Sequence, residues 1–260
     1  LVADLVDLGL IDEREPDALG VAGRPSPVAH LRPEITAIAV NPEIDALTIG
    51  LVGLDGRVRR VIRHAYDRIP SVAEVLSITA AVLAGMEVEL ASLRVVGIGV
   101  AVPGQVHTAD GVVRNAPHLG WRDEAFAQPL SSATGLPVWL ANDAALGALA
   151  EHRFGTGRGK DHLVYLNGGA SGIGGGVITG GSLLGGTSGY AGEIGHVRVS
   201  SSPTPDSAGI AGTLEALVTR SELMAALGLP DEAADTLAAA LLDDPPAKAC
   251  LLYTSDAADE

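Results

Sequence analysis

Between residues 167 and 196 the chain reads NGGASGIGGGVITGGSLLGGTSGYAGEIGH, and this glycine density constrains the fold more than any other feature. Glycine permits positive φ and lets a strand, a helix or a ligand approach the backbone closely. The stretch holds too much Ile, Val and Leu to be a flexible linker, so it has to be folded. A chain of 260 residues, 47% of them hydrophobic, can bury the core this requires. No apolar run approaches the roughly 18 residues of a membrane-spanning helix, and no basic-then-apolar signal opens the chain. The expectation is a cytoplasmic protein without membrane contact. One cysteine excludes a disulfide framework and a cysteine-rich zinc site. A net charge of −15 argues against this stretch being a general nucleic-acid binder by itself.

The pattern divides into three regions. In residues 1–31, Leu1, Leu5 and Leu8 keep helical spacing, and Gly9 is placed to end that helix. Leu10 and Ile11 can open a strand, and AGRPSP can return it. Residues 32–141 read as α/β: strands over 35–40 and 46–54 joined by a turn at Asn41-Pro42-Glu43, then a hairpin through Asp55-Gly56 to a strand over 58–63. Ser71 with Glu74 predicts a capping box opening a helix to about Leu90. A buried strand over 95–102 ends in Pro103-Gly104, and a short strand over 137–141 enters Asn142-Asp143. From residue 142 to 249 the reading expects a helix over 143–154, the glycine-dense stretch, and helices over 212–227 and 233–242.

Candidate chemistry gathers in that last region. Asn142-Asp143 stands at a strand-to-helix corner, where the pair can hold a hydroxyl from two sides or Asp143 can act as a base. Either residue can equally be only the helix cap. Gly192-Glu193-Ile194-Gly195-His196 sets an acid and a base three residues apart between glycines, as a small polar ligand needs, or as an exposed turn allows. Glu215 falls in the first turn of a helix, where it can contact a ligand or simply complement the helix dipole.

Three strings carry a resemblance: IGVAVPGQVHTADGVVRNAPHLGW, LPVWLANDAALGALAEHRFGTG, and LNGGASGIGGGVITGGSLLGGTSGYAGEIGHVRV. In order and spacing they resemble the ROK family of bacterial sugar repressors and sugar kinases, over residues 35–229. The resemblance implies an α/β, actin-like ATPase or ribonuclease-H-like pair of lobes around a sugar cleft. It implies that Asn142, Asp143, Glu193, His196 and Glu215 contact the sugar, with Asp143 the base in a kinase.

Two departures argue for a regulator over a kinase. ROK kinases carry an Asp-x-Gly-Gly-Thr phosphate turn where this chain has Asn41-Pro42-Glu43-Ile44-Asp45. The glycines that admit phosphate to backbone N–H groups are absent, and Glu43 and Asp45 would repel a γ-phosphate. ATP is therefore not expected as a cofactor, and the alternative is a ROK sugar kinase. The family also carries Cys-x-Cys-Gly-x-x-Gly-Cys, which with His196 binds zinc. Here Asp206, Ala208 and Thr213 replace the three thiolates, so no structural zinc is expected, and His196 is free for the sugar, hydrogen-bonded to Asp206 or Thr213.

Residues 1–31 resemble the end of the winged helix that precedes the sugar lobes in ROK regulators, through Leu5-Val6-Asp7-Leu8-Gly9-Leu10-Ile11 and Gly23-Arg24-Pro25. Arg24 is then a candidate DNA contact. Operator DNA would be bound through a preceding, missing domain, by a homodimer or homotetramer. The last eleven residues, 250–260, match the translation of a sequencing-library adapter and are expected not to be native. Without their three acidic residues the charge becomes −12 and the cysteine count zero. The reading is a sugar-responsive ROK regulator, a repressor, extending beyond both ends of this sequence.

Overall fold

A computed structural model of the chain describes residues 1–14, 27–169 and 172–218. In chain order they form α1 (Val2–Asp7), β1 (Ile11–Arg14), β2 (Val28–Leu31), β3 (Ile35–Pro42), β4 (Ala46–Gly53), β5 (Val58–Ala65), α2 (Val72–Gly85), α3 (Glu87–Leu90) and β6 (Arg94–Val102). There follow β7 (Gln105–His107), β8 (Val112–Ala116), β9 (Trp121–Ala125), α4 (Ala127–Thr134), β10 (Val138–Asn142), α5 (Asp143–Phe154), β11 (Leu163–Gly169), β12 (Gly172–Thr179), β13 (Ser182–Leu183) and α6 (Leu214–Leu217). The chain divides into two compact units. The first comprises Leu1–Ala101, Asp110–Val112 and Glu124–Leu140, and the second Val102–Ala109, Val113–Asp123 and the residues from Ala141 onward. Of the region read as 32–141, residues 102–109 and 113–123 group with the second unit.

The first unit is built on a five-stranded sheet in the order β10-β6-β3-β4-β5. β3, β4 and β5 form an antiparallel meander, and β6 runs parallel to β3. Its core is the near-continuous apolar content of the central strands: Ile38, Val40, Leu47, Ile49, Leu51, Ile98 and Val100 are all buried. Edge strand β5 is exposed along its length and carries Arg59, Arg60 and Arg63, charges that discourage pairing with another chain. In α2 the buried residues are Val72, Val75, Thr79 and Leu83, one face of a helix. The capping box forms as read: Ser71 Oγ accepts the Glu74 N–H, and the Glu74 carboxylate accepts the Ser71 N–H at 2.9 Å.

Several local expectations are corrected. The helix expected to reach Leu90 ends at Gly85, a poor helix former, and α3 follows as a separate turn after Met86. Asn41 and Pro42 extend β3 opposite Thr48 and Leu47 instead of turning, and the turn lies at 43–45, closed by the Glu43 N–H on Ala46 O at 2.8 Å. Helix α4 has no counterpart in the sequence reading. Its single buried residue, Leu130, leaves no periodic stripe to detect. At the N-terminus α1 ends where Gly9 adopts φ +64, and the Leu8 carbonyl accepts Arg94 Nη1 at 2.7 Å. β1 pairs antiparallel with β2, while Gly23-Arg24-Pro25 lies outside the described residues. Arg24, the helix over 233–242 and residues 250–260 lie outside the described residues.

The second unit contains two three-stranded sheets, β11-β12-β13 and β7-β8-β9. Helix α5 packs on β11 and β12 through Ala144, Ala145 and Ala148, all buried. The glycine density is explained here by close approach. A Cβ at Gly174 would stand 2.7 Å from the Ala144 Cβ, and one at Gly176 only 2.5 Å from that of Ala148. Alanine on the helix and glycine on the strand bring the two backbones together, which fixes the corner from which α5 starts. Of the helix expected over 212–227, the described part begins at Leu214 under a Thr213 cap and reaches Leu217, and residues 219–227 lie outside the described residues.

Candidate functional site

All five side chains singled out from the sequence, Asn142, Asp143, Glu193, His196 and Glu215, line one pocket of the second unit. Asn142 ends β10 and caps α5: its Oδ1 accepts the Ala145 N–H at 2.9 Å, and its Nδ2 donates to Gly104 O at 3.1 Å. The capping role and the pocket position are thus held by one residue. Asp143, the first residue of α5, accepts the Ala144 N–H at 2.8 Å.

Glu193 caps a single 3-10 turn that ends in His196, with Gly195 buried between them. That turn lies hard against β12, since a Cβ on Gly195 would stand 1.9 Å from Ile173 O. Burial pushes the Glu193 carboxyl above its ordinary value; the neighbouring His196 ring opposes that push, and Asp143 and Glu215 reinforce it. Three carboxylates therefore share one electrostatic neighbourhood. Glu215 is fixed at both oxygens, Oε1 accepting the Ser207 N–H at 2.9 Å and Oε2 the Ile173 N–H at 3.4 Å.

Behind His196 stands Asp206, whose side chain is 0% exposed. Its Oδ2 lies 2.9 Å from His196 Nδ1 and accepts the Thr213 hydroxyl at 2.9 Å. Its Oδ1 accepts the N–H groups of Ala208 at 2.9 Å and Ile210 at 2.8 Å. Burial by itself would raise this carboxyl, but the hydrogen bonds from His196, Ile210 and Thr213 outweigh it and hold the pKa at about 2.

The donor set fits poorly with the zinc site that the family pattern implies. Ala208 offers no ligand atom, the Thr213 hydroxyl donates to Asp206, and the lone pairs of Asp206 are occupied four times over. A structural zinc needs four ligands, usually thiolate or imidazole. Among the described residues no group of three His, Cys, Asp or Glu side chains is placed to hold a metal.

The pocket also takes in residues that sequence reading passed over. Asn115 and His118 line it, and His118 Nε2 is buried with no hydrogen-bond partner among the described residues. The signal was the NAPHLGW segment, whose polar residues received no role. Ser207 and Asn167 complete the polar wall. Carboxylates and amide oxygens make the lining rich in acceptors, an arrangement suited to a ligand that brings many O–H donors.

The fold is the actin-like, ribonuclease-H-like α/β fold, shared with solved sugar kinases and regulators. The chain belongs to the ROK family, whose profile matches residues 44–244. It is 34% identical to the glucokinase of Thermotoga maritima over 189 residues, covering 72% of this chain and 58% of that protein. It is 32% identical to the xylose repressor of Bacillus subtilis over 132 residues, 51% of this chain and 34% of the repressor. A crystal structure of a ROK family transcriptional regulator, a homologue of E. coli MLC, superposes with a TM-score of 0.71 at 27% identity, covering 94% of this chain and 66% of that one. A ROK glucokinase from Streptomyces griseus in complex with glucose and AMPPNP gives 0.64 at 29% identity, covering 82% and 73%. The chain spans from about a third to three fifths of the length of the curated relatives it matches.

Proposed function

We propose that this chain is the sugar-sensing part of a ROK transcriptional regulator, a repressor that binds a sugar or sugar derivative and does not phosphorylate it. The observation that carries the choice between regulator and kinase is the turn at residues 43–45. Its Glu43 N–H is committed to Ala46 O, and Asp45 is paired with Arg63 at 2.8 Å. No glycine opens the backbone there, and two carboxylates stand where a phosphate would need donors. Phosphoryl transfer depends on positioning and on neutralising charge, and this turn does neither. The acceptor-rich pocket supports a polyhydroxylated ligand, with Asp143, Glu193 and Glu215 accepting from hydroxyls and His196 completing the set. Relatives of both kinds name sugars: the glucokinases, and the xylose repressors.

In this reading Asp143 orients a hydroxyl by accepting its hydrogen bond, and no phosphoryl group is held for that oxygen to attack. The helix α1 and the β1–β2 hairpin are the end of a DNA-binding winged helix, and sugar occupancy is read out as a change in operator affinity by a homodimer or homotetramer. The kinase reading keeps one specific support, since Asp143 begins a helix at the pocket wall where a base would stand. A coupled ADP-release assay with Mg-ATP and a panel of hexoses and pentoses separates the two. Background turnover supports the regulator; sugar-dependent ADP release that Asp143→Asn abolishes would establish the kinase.

A further inference from the structure

We propose that Asp206 takes over the work a metal ion would do at this pocket, holding His196 in one orientation and one tautomer, so that ligand recognition needs no metal. The inference rests on the sugar-pocket reading for the identity of the ligand, though not for the state of His196.

A structural zinc in a loop does two things: it ties chain segments together, and it fixes the ligating ring. The Asp206 carboxylate does both with hydrogen bonds. Through Oδ2 it joins the turn carrying His196 to Thr213, which caps α6 by accepting the Ala216 N–H at 3.3 Å. Through Oδ1 it closes its own loop on the Ala208 and Ile210 N–H groups. The same loop presents the Ser207 N–H to Glu215. His196 and Glu215 are thereby positioned by one segment, residues 206–215, whose ends are tied without a metal. Backbone pairing adds to the tie, with the Leu214 N–H on Val197 O at 3.0 Å and the Val199 N–H on Gly212 O at 2.9 Å.

The tautomer follows from chemistry. An ionised carboxylate only accepts, so the ring nitrogen facing it at 2.9 Å has to be the protonated one. In the neutral imidazole that leaves Nε2 as an acceptor, able to accept a hydrogen bond from a ligand hydroxyl. A zinc ion on His196 would use one ring nitrogen as a ligand and reverse this assignment if it sat at Nδ1. Asp206 is accordingly a positioning residue that acts through His196, and partners of this kind typically change function ten- to a hundredfold when removed.

The test is nitrogen-15 NMR of histidine-labelled full chain, with the His196 signal identified by its loss in His196→Gln, together with metal analysis of the same sample. The expected result is zinc well below one equivalent and a His196 ring protonated at Nδ1, unchanged by EDTA. In Asp206→Ala the Nδ1 preference should be lost, and sugar affinity should fall about tenfold. If Asp206→Ala does not fold, Asp206→Asn serves instead. With its oxygen kept on the Ala208 and Ile210 N–H groups, its amide N–H faces the ring and should shift it towards the Nε2–H form. An unchanged Nδ1–H ring in that variant would overturn the proposal. Stoichiometric zinc, or a wild-type ring protonated at Nε2, overturns the proposal. The ring signal and the metal content require no bound sugar, so failure of the sugar reading leaves those two results intact.

Discussion

Adding one methyl group at Gly195 should damage the pocket more than any change to its surface. The Cβ of Gly195→Ala would stand 1.9 Å from the Ile173 carbonyl oxygen, whereas real Cβ atoms essentially never come within 3.0 Å of a neighbour. The 3-10 turn and β12 therefore have to separate by about 1 Å, because the obstructing atom is backbone and has no rotamer to change. On one side the displacement moves Glu193 and His196. On the other it moves Ile173, whose N–H is bonded to Glu215. Overpacking costs about 1–3 kcal/mol, and each hydrogen bond loosened adds roughly 0.5–1.5 kcal/mol. A total of about 2–4 kcal/mol is expected, a large share of a typical 5–15 kcal/mol stability. Urea denaturation should show a lowered midpoint at unchanged slope. The control is Gly209→Ala, at φ +80 with nothing within 4 Å, which isolates backbone strain at roughly 1–2 kcal/mol. A Gly195→Ala midpoint indistinguishable from wild type would refute the claim that this contact sets the turn.

The capping box makes a smaller prediction in the first unit: Ser71→Ala should cost about 0.5–2 kcal/mol by thermal melt. Gly85→Ala, with open space at its Cβ and no positive φ, should instead stabilise by roughly 0.4–1 kcal/mol. The two perturbed carboxyls in the second unit act in opposite directions with pH. Asp206 is held at about 2, so its contribution is complete above the ordinary carboxylate range and is lost as pH falls from about 5 towards 2. Glu193 is raised, so its contribution is complete below the ordinary range and is lost as pH rises through its shifted value. Glu193→Gln should therefore raise the melting temperature at pH 7 while weakening sugar binding, and a lower melting temperature at that pH would contradict the assignment.

How much of this was legible in the sequence depended on the kind of signal. Periodic and punctuated elements were readable: the Ser71 capping box, the Asp55-Gly56 hairpin and the strand into Asn142-Asp143 all announce themselves locally. Five of the residues lining the pocket were legible as motifs, because Glu193 and His196 sit beside glycines and Asn142, Asp143 and Glu215 at helix starts. What local pattern does not carry is the partner. That Asp206 would lie against His196 was legible only as an alternative to Thr213, since both stand ten or more residues away in sequence. In fact Thr213 binds Asp206 in its turn. His118 was passed over because a single histidine in a turn looks the same whether its ring faces solvent or a pocket. Helix α4 and the break at Met86 were missed for a related reason, as short helices with one buried residue or none leave no stripe.

The central claim, that this pocket binds a sugar, is tested most directly by isothermal titration of the chain with a panel of aldohexoses and aldopentoses, wild type beside Asp143→Ala. The account predicts saturable heat for at least one sugar, and an affinity about ten- to a hundredfold weaker in the variant, the worth of one charged hydrogen bond. It also predicts no change on adding EDTA. Absence of binding across the panel, or equal affinity in Asp143→Ala, would contradict it.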